Sequence, residues 1–92
     1  MVITNPTHVA VALSYDMETS PAPRVVAKGT GELALRIREV ARKNSVAVHE
    51  DPPLARALYP TDVGGVIPAE LYRAVAEILA HLVRVSGVRL GR

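Results

Sequence analysis

The chain has 92 residues, is 49% apolar, and carries a formal net charge of +2 from 11 basic and 9 acidic side chains. That length suits one domain, and the apolar share exceeds that of disordered chains. With the arginines spread and interleaved with glutamates, and no aromatic platform, nucleic-acid binding lacks its usual footprint. Cysteine is absent, which excludes disulfides, cysteine–zinc sites and thiol chemistry.

There is no Phe or Trp and there are three Tyr, so Val, Leu, Ile and Ala must fill the core. Side chains of this kind suit a sheet covered by helices. The longest mostly apolar run, residues 75–85, is interrupted by Glu77, His81 and Arg84 and is too short and polar to span a bilayer. No basic-then-apolar signal pattern opens the chain, so the cytosol is the expected compartment.

Residues 2–4 form a short β-type run that stops at Asn5-Pro6. Residues 8–15 alternate as a strand, with Val9, Val11, Leu13 and Tyr15 on one face and Ala10, Ala12 and Ser14 on the other. Neither face is strongly polar, which predicts a central strand whose small-residue face admits a close helix. Residues 16–23 read as a loop, its Pro21 and Pro23 keeping it extended and exposed. Residues 24–28 form the next strand, ended by Gly29.

An amphipathic helix is predicted over 31–44, with Leu33, Ile37, Val40 and Ala41 inward. Glu32/Arg36 and Glu39/Lys43 are spaced as surface pairs. A strand over 46–49 follows. Asp51 then caps a short helix that has Pro52 in its first turn and ends at Pro60. Gly64-Gly65 is a flexible turn. Pro68 opens the last helix, whose inward stripe is Leu71, Val75, Ile78, Leu79 and Leu82, with Gly87 at its end. The expected fold class is α/β: a small mixed sheet of about four strands with helices packed around it. The unit strand–helix–strand between residues 24 and 49 should be a right-handed parallel crossover. One domain over 1–92 is expected, with residues 88–92 frayed.

Few residue sets carry chemistry. His8, His49 and His81 have no metal-site spacing, so no metal or cofactor is expected. Gly29-Thr30-Gly31 lacks the further glycines and the lysine of a phosphate loop. His49, Glu50 and Asp51 can be read as a ligand cluster, but a strand end followed by a helix cap explains them at least as well.

Asn5-Pro6-Thr7-His8 has a chemical option of its own. Asparagine is usually attacked at its side chain by the next residue's amide nitrogen. Pro6 has no N–H, so that route is closed. The reverse route remains: the Asn5 side-chain nitrogen attacks the Asn5 backbone carbonyl, forms a cyclic imide and expels the proline nitrogen. A folded turn would accelerate this by orientation, and His8 is placed to move protons. Thr7 would orient the turn. An ordinary Asn-Pro turn accounts for the tetrapeptide as well.

Asn5-Pro6-Thr7-His8, the following Val9-Ala10-Val11-Ala12-Leu13, and Tyr15-Asp16 resemble the start of the cytosolic domain of the type III export switch family, called FlhB in flagella. The resemblance continues through Ala22-Pro23, Val25-Val26-Ala27-Lys28-Gly29, Ala34-Leu35-Arg36-Ile37-Arg38-Glu39, Pro52-Pro53-Leu54-Ala55-Arg56-Ala57-Leu58-Tyr59 and Ile67-Pro68. It covers residues 2–83.

The resemblance implies a non-enzymatic substrate-specificity switch of the flagellar export gate, with one self-cleavage between Asn5 and Pro6. Residues 1–5 would then be a strand before the cut, and residues 6–87 the main body. It implies a place on the cytoplasmic face of the bacterial inner membrane, below a membrane-embedded parent protein. The implied partners are the large export-gate protein, the length-control protein, export substrates and the domain's own N-terminal fragment. Ala22 and Pro23 would lie against Ala76 and Leu79 to form a recess for export signals. Because four residues precede Asn5, both an excised domain and a free-standing docking module are expected possibilities. The homologous domain of an injection system is another. A small enzyme built on His49, Glu50 and Asp51 is the reading from a different class.

Overall fold

Alternation along residues 9–15 places Val11 and Leu13 on one face of a strand and Ala10 and Ala12 on the other, and both faces are covered. The computed structural model describes residues 1–6, 8–16 and 20–86. Thr7, Gly87 and the tail 88–92 lie outside the described residues. The elements are β1 (Val2–Asn5), β2 (Val9–Asp16), β3 (Ser20–Thr30), α1 (Gly31–Lys43), β4 (Val48–Glu50), α2 (Pro52–Leu58), a 3-10 turn (Ala69–Leu71) and α3 (Tyr72–Ser86).

The strand order is β3-β2-β1-β4. β2 is antiparallel to β1 and β3, whereas β4 runs parallel to β1. β3 and β4 therefore point the same way, as expected for a strand–helix–strand crossover, but they form opposite edges of the sheet. The crossover spans both central strands. This is the expected mixed four-stranded α/β fold with helices around the sheet.

One face carries Ile3, Val11, Leu13 and Val25 against Leu54 and Leu58 of α2 and Val75 and Leu79 of α3. The other carries Val2 and Ala10 against Ala34 and Ala41 of α1, with Ala12, Ile37 and Val48 packed beside them. Alanine meets alanine here, so α1 sits close on β2, as the small-residue face predicts.

The inward face of α1 differs from the expectation at two positions. Leu33 and Val40 are each 53% exposed. Ile37 and Ala41 face inward as expected, and Ala34 joins them. Leu33 lies over Gly29, where any Cβ would run into its side chain. The acid–base pairs expected along α1 stay apart. The ion pair among the described residues is Arg73–Glu77 on α3, at 3.3 Å. Exposed pairs of this spacing contribute about 0.3–0.5 kcal/mol, too little to hold a helix surface in one arrangement.

Residues 20–23 differ too. They are extended, as their prolines require, but they belong to the edge strand β3. Pro23 is buried. The outer edge of β3 is paired in turn by residues 64–67: the Gly64 amide donates to the Val25 carbonyl at 2.7 Å and the Ile67 amide to the Pro23 carbonyl at 3.0 Å. Gly64, at φ +90°, makes the left-handed bend that starts this cover. Lys28 reaches across to the end of α2 and donates to the carbonyls of Tyr59 (2.8 Å) and Thr61 (3.1 Å). Among the described residues, no helix is long and apolar enough to cross a membrane.

Candidate functional site

Asn5 ends β1, and β2 begins at Val9. The chain reverses between them, because the two strands pair antiparallel with Asn5 opposite Val9. Pro6, with φ preset by its ring, occupies the second position of the reversal, where proline is favoured. The His8 amide closes the turn by donating to the Asn5 carbonyl oxygen at 3.0 Å. That oxygen belongs to the Asn5–Pro6 peptide bond.

Two contacts brace the turn from outside. The Gly31 amide donates to the His8 carbonyl at 3.2 Å. Gly31 has φ +54°, a left-handed conformation that side chains disfavour. The junction of β3 and α1 can thus bend back to the turn. Arg38, two turns into α1, donates from Nη1 to the Pro6 carbonyl at 2.9 Å. Its Nε is buried without a hydrogen-bond partner. One guanidinium nitrogen is thus bonded at the turn and another is out of water.

Asn5 and Pro6 are half-buried and the His8 side chain is exposed. Backbone bonds join Asn5 and His8, while Thr7 is not described. Neither Arg38 nor Gly31 is expected at this turn from the sequence. A helix periodicity places Arg38 on a surface, and nothing local ties it to a turn more than thirty residues earlier.

β1 is an interior strand. Val2, Ile3 and Thr4 are 2%, 0% and 2% exposed. The Leu13 amide donates to the Met1 carbonyl at 2.7 Å on one side. On the other, the Val2 amide donates to Ala47 at 2.9 Å and the Asp51 amide to Thr4 at 2.9 Å.

At the opposite end of the sheet lies an open, mostly apolar recess of about 640 Å³. Pro23 and Leu79 both line it, together with Met1, Leu33, Val40 and Leu82. Ala22 is half-buried and Ala76 exposed, and neither is among the lining residues. The structure thus brings together two of the four residues expected there, and α1 supplies a wall that was not expected. The Met1 amine donates to the Leu13 carbonyl at 3.1 Å, and burial pushes its pKa below the ordinary value.

His49, Glu50 and Asp51 do not converge. His49 and Glu50 are consecutive in β4, so their side chains leave opposite faces of the sheet. The Asp51 carboxylate accepts the Leu54 amide at 3.2 Å as the cap of α2. None of the three lines the recess. Among the described residues, no three His, Cys, Asp or Glu gather as a metal site.

A small mixed sheet whose interior strand β1 runs directly into an Asn-Pro turn, braced by a covering helix, defines a compact α/β class of domain. The chain belongs to the FlhB HrpN YscU SpaS family, whose model matches residues 1–82. It is 52% identical over 91 residues to the flagellar biosynthetic protein FlhB of Escherichia coli (98% of this chain, 24% of that protein). Identity to FlhB of Aquifex aeolicus is 53% over 83 residues (89% and 24%). The chain thus spans about a quarter of the length of the curated relatives it matches. Among solved structures, the cytoplasmic domain of FlhB from Shewanella putrefaciens superposes with a TM-score of 0.83 at 45% identity, covering 90% of this chain and 66% of that one. The PscU C-terminal domain gives 0.77 at 44% identity, covering 84% and 99%.

Proposed function

We propose that this chain is a substrate-switch domain of a type III protein-export apparatus of the flagellar kind, and that it cuts itself once between Asn5 and Pro6. The observation that carries the cleavage reading is the turn itself. The carbonyl to be attacked already accepts the His8 amide at 3.0 Å. The identity to flagellar relatives, 52% in the case of Escherichia coli FlhB, supports the flagellar assignment.

In the reaction, Nδ2 of Asn5 bonds to the Asn5 carbonyl carbon, and charge builds on the carbonyl oxygen. The His8 amide stands where that charge grows, and a preorganised donor at such a position is worth on the order of 3 kcal/mol. The bond from that carbon to the Pro6 nitrogen then breaks. The proton lost by Nδ2 passes to the Pro6 nitrogen, which leaves as a secondary amine, and water later opens the cyclic imide. The His8 side chain, exposed at the turn, is the proton carrier in this scheme, and Thr7 sets the turn. The chain turns over no external substrate in this reading.

Residues 1–5 and 6–87 are the two pieces of one domain. The partners in this reading are the large export-gate protein, the length-control protein and export substrates, met at the cytoplasmic face of the inner membrane. Short apolar export signals would dock in the recess lined by Pro23 and Leu79, with Ala22 and Ala76 nearby in sequence.

Intact mass measurement under denaturing conditions tests the cleavage. Two masses that sum to the chain plus one water, and a single whole mass for Asn5→Ala, are expected. A wild-type chain that stays whole over days of incubation overturns it.

A further inference from the structure

The Asn5–Pro6 and Pro6–Thr7 peptides are the two planes whose orientation decides whether the Asn5 side-chain nitrogen can reach its own carbonyl. The first is held from within the turn, by the His8 amide. The second is held from α1, by Nη1 of Arg38 on the Pro6 carbonyl at 2.9 Å. Arg38 is half-buried, and its Nε is buried with no hydrogen-bond partner. Burying part of a guanidinium that leaves one nitrogen unpaired costs stability. A surface arginine serving only the fold would turn outward into water.

We infer that Arg38 is a positioning residue for the cleavage: it docks the turn on α1 and so holds the Asn5–Pro6 bond in the geometry for attack. This rests on the cleavage reading above. Arg38 touches neither reacting atom, and it works through the Pro6 carbonyl. Once the bond is cut, the same contact keeps the new Pro6 end at α1, while β1 stays in the sheet.

The test compares Arg38→Ala, Arg38→Gln and Arg38→Lys in the full chain. Cleavage rates come from intact mass, with thermal unfolding in parallel. A loosened near-attack geometry lowers the Arg38→Ala rate by roughly ten- to a hundred-fold. Arg38→Lys, which retains a charged donor, recovers most of the rate, and millimolar methylguanidine restores part of it to Arg38→Ala. A purely structural role would not respond to added methylguanidine.

A second measurement does not need cleavage. In the uncleavable Asn5→Ala background, Arg38→Ala should raise hydrogen exchange of the His8 amide while core amides such as Val11 keep their protection. Arg38 variants that cleave at the wild-type rate, with unchanged His8 exchange, overturn the inference and leave the cleavage reading intact. A wild-type chain that never cleaves overturns both. If Arg38→Ala does not fold, Arg38→Gln and Arg38→Lys carry the comparison.

Discussion

The His8 amide donates to the Asn5 carbonyl at 3.0 Å, so the acceptor that closes the turn is also the carbonyl of the Asn5–Pro6 bond. Turn closure and the proposed cleavage therefore use the same oxygen. Asn5→Asp should keep the turn and stop cleavage at neutral pH, because the carboxylate offers no attacking nitrogen. Pro6→Ala should change the product. It restores the amide that proline lacks, so side-chain deamidation should replace chain cleavage, visible as a small mass gain without a second fragment.

Cleavage should not release residues 1–5. They form an interior strand bonded on both sides, with Val2 and Ile3 buried. Burying each such side chain is worth about 1.5–3 kcal/mol. Native mass spectrometry of the cleaved chain should show both pieces as one particle, and denaturant should separate them. Loss of residues 1–5 under native conditions would contradict the observed strand order.

Gly31 and Gly64 form a matched pair. Both have positive φ, and neither would meet another atom with an added Cβ. Either change to Ala should cost about 1 kcal/mol of stability through backbone strain. Gly31 also donates to the His8 carbonyl, whereas Gly64 pairs with β3. Cleavage should therefore slow in Gly31→Ala and proceed unchanged in Gly64→Ala, measured by intact mass at equal fraction folded.

The start of α2 separates cap from core. Asp51→Ala removes the acceptor for the Leu54 amide and should cost about 1 kcal/mol. Leu58→Ala, at a fully buried position, should cost about 2–5 kcal/mol. Urea unfolding of both variants in the Asn5→Ala background gives the comparison without the complication of a cut chain.

In a chain with a free amine at Met1, burial of that amine should give stability a pH dependence. Burial lowers its pKa from 8.0, so between the two values the unfolded chain binds the extra proton. Stability then rises with pH through that window and levels off above 8.0. Acetylating the amine should flatten this part of the profile in thermal unfolding.

Much of this is legible in the chain. Two-residue alternation identified β2 and both of its faces, because successive side chains of a strand leave opposite sides of the sheet. The Asp51-Pro52 pair marked the start of α2, because a cap and a proline satisfy orphan amides locally. Asn5-Pro6 marked the bond proposed here to be cut, because the missing proline N–H closes the competing deamidation route. Contacts distant in sequence were not legible. Periodicity fixes the rotation of α1 only coarsely, so Ile37 and Ala41 face inward as the spacing predicts, but Ala34 joins them where Leu33 and Val40 are expected. The prolines at 21 and 23 required extension, but the cover by residues 64–67 that buries Pro23 comes from another part of the chain. Arg38 on Pro6 and Gly31 on His8 arise because α1 crosses the whole sheet and brings its first turns beside the β1–β2 reversal. Local residue preferences set the elements and place the Asn-Pro turn between them. The long-range packing of α1 sets how that turn is held.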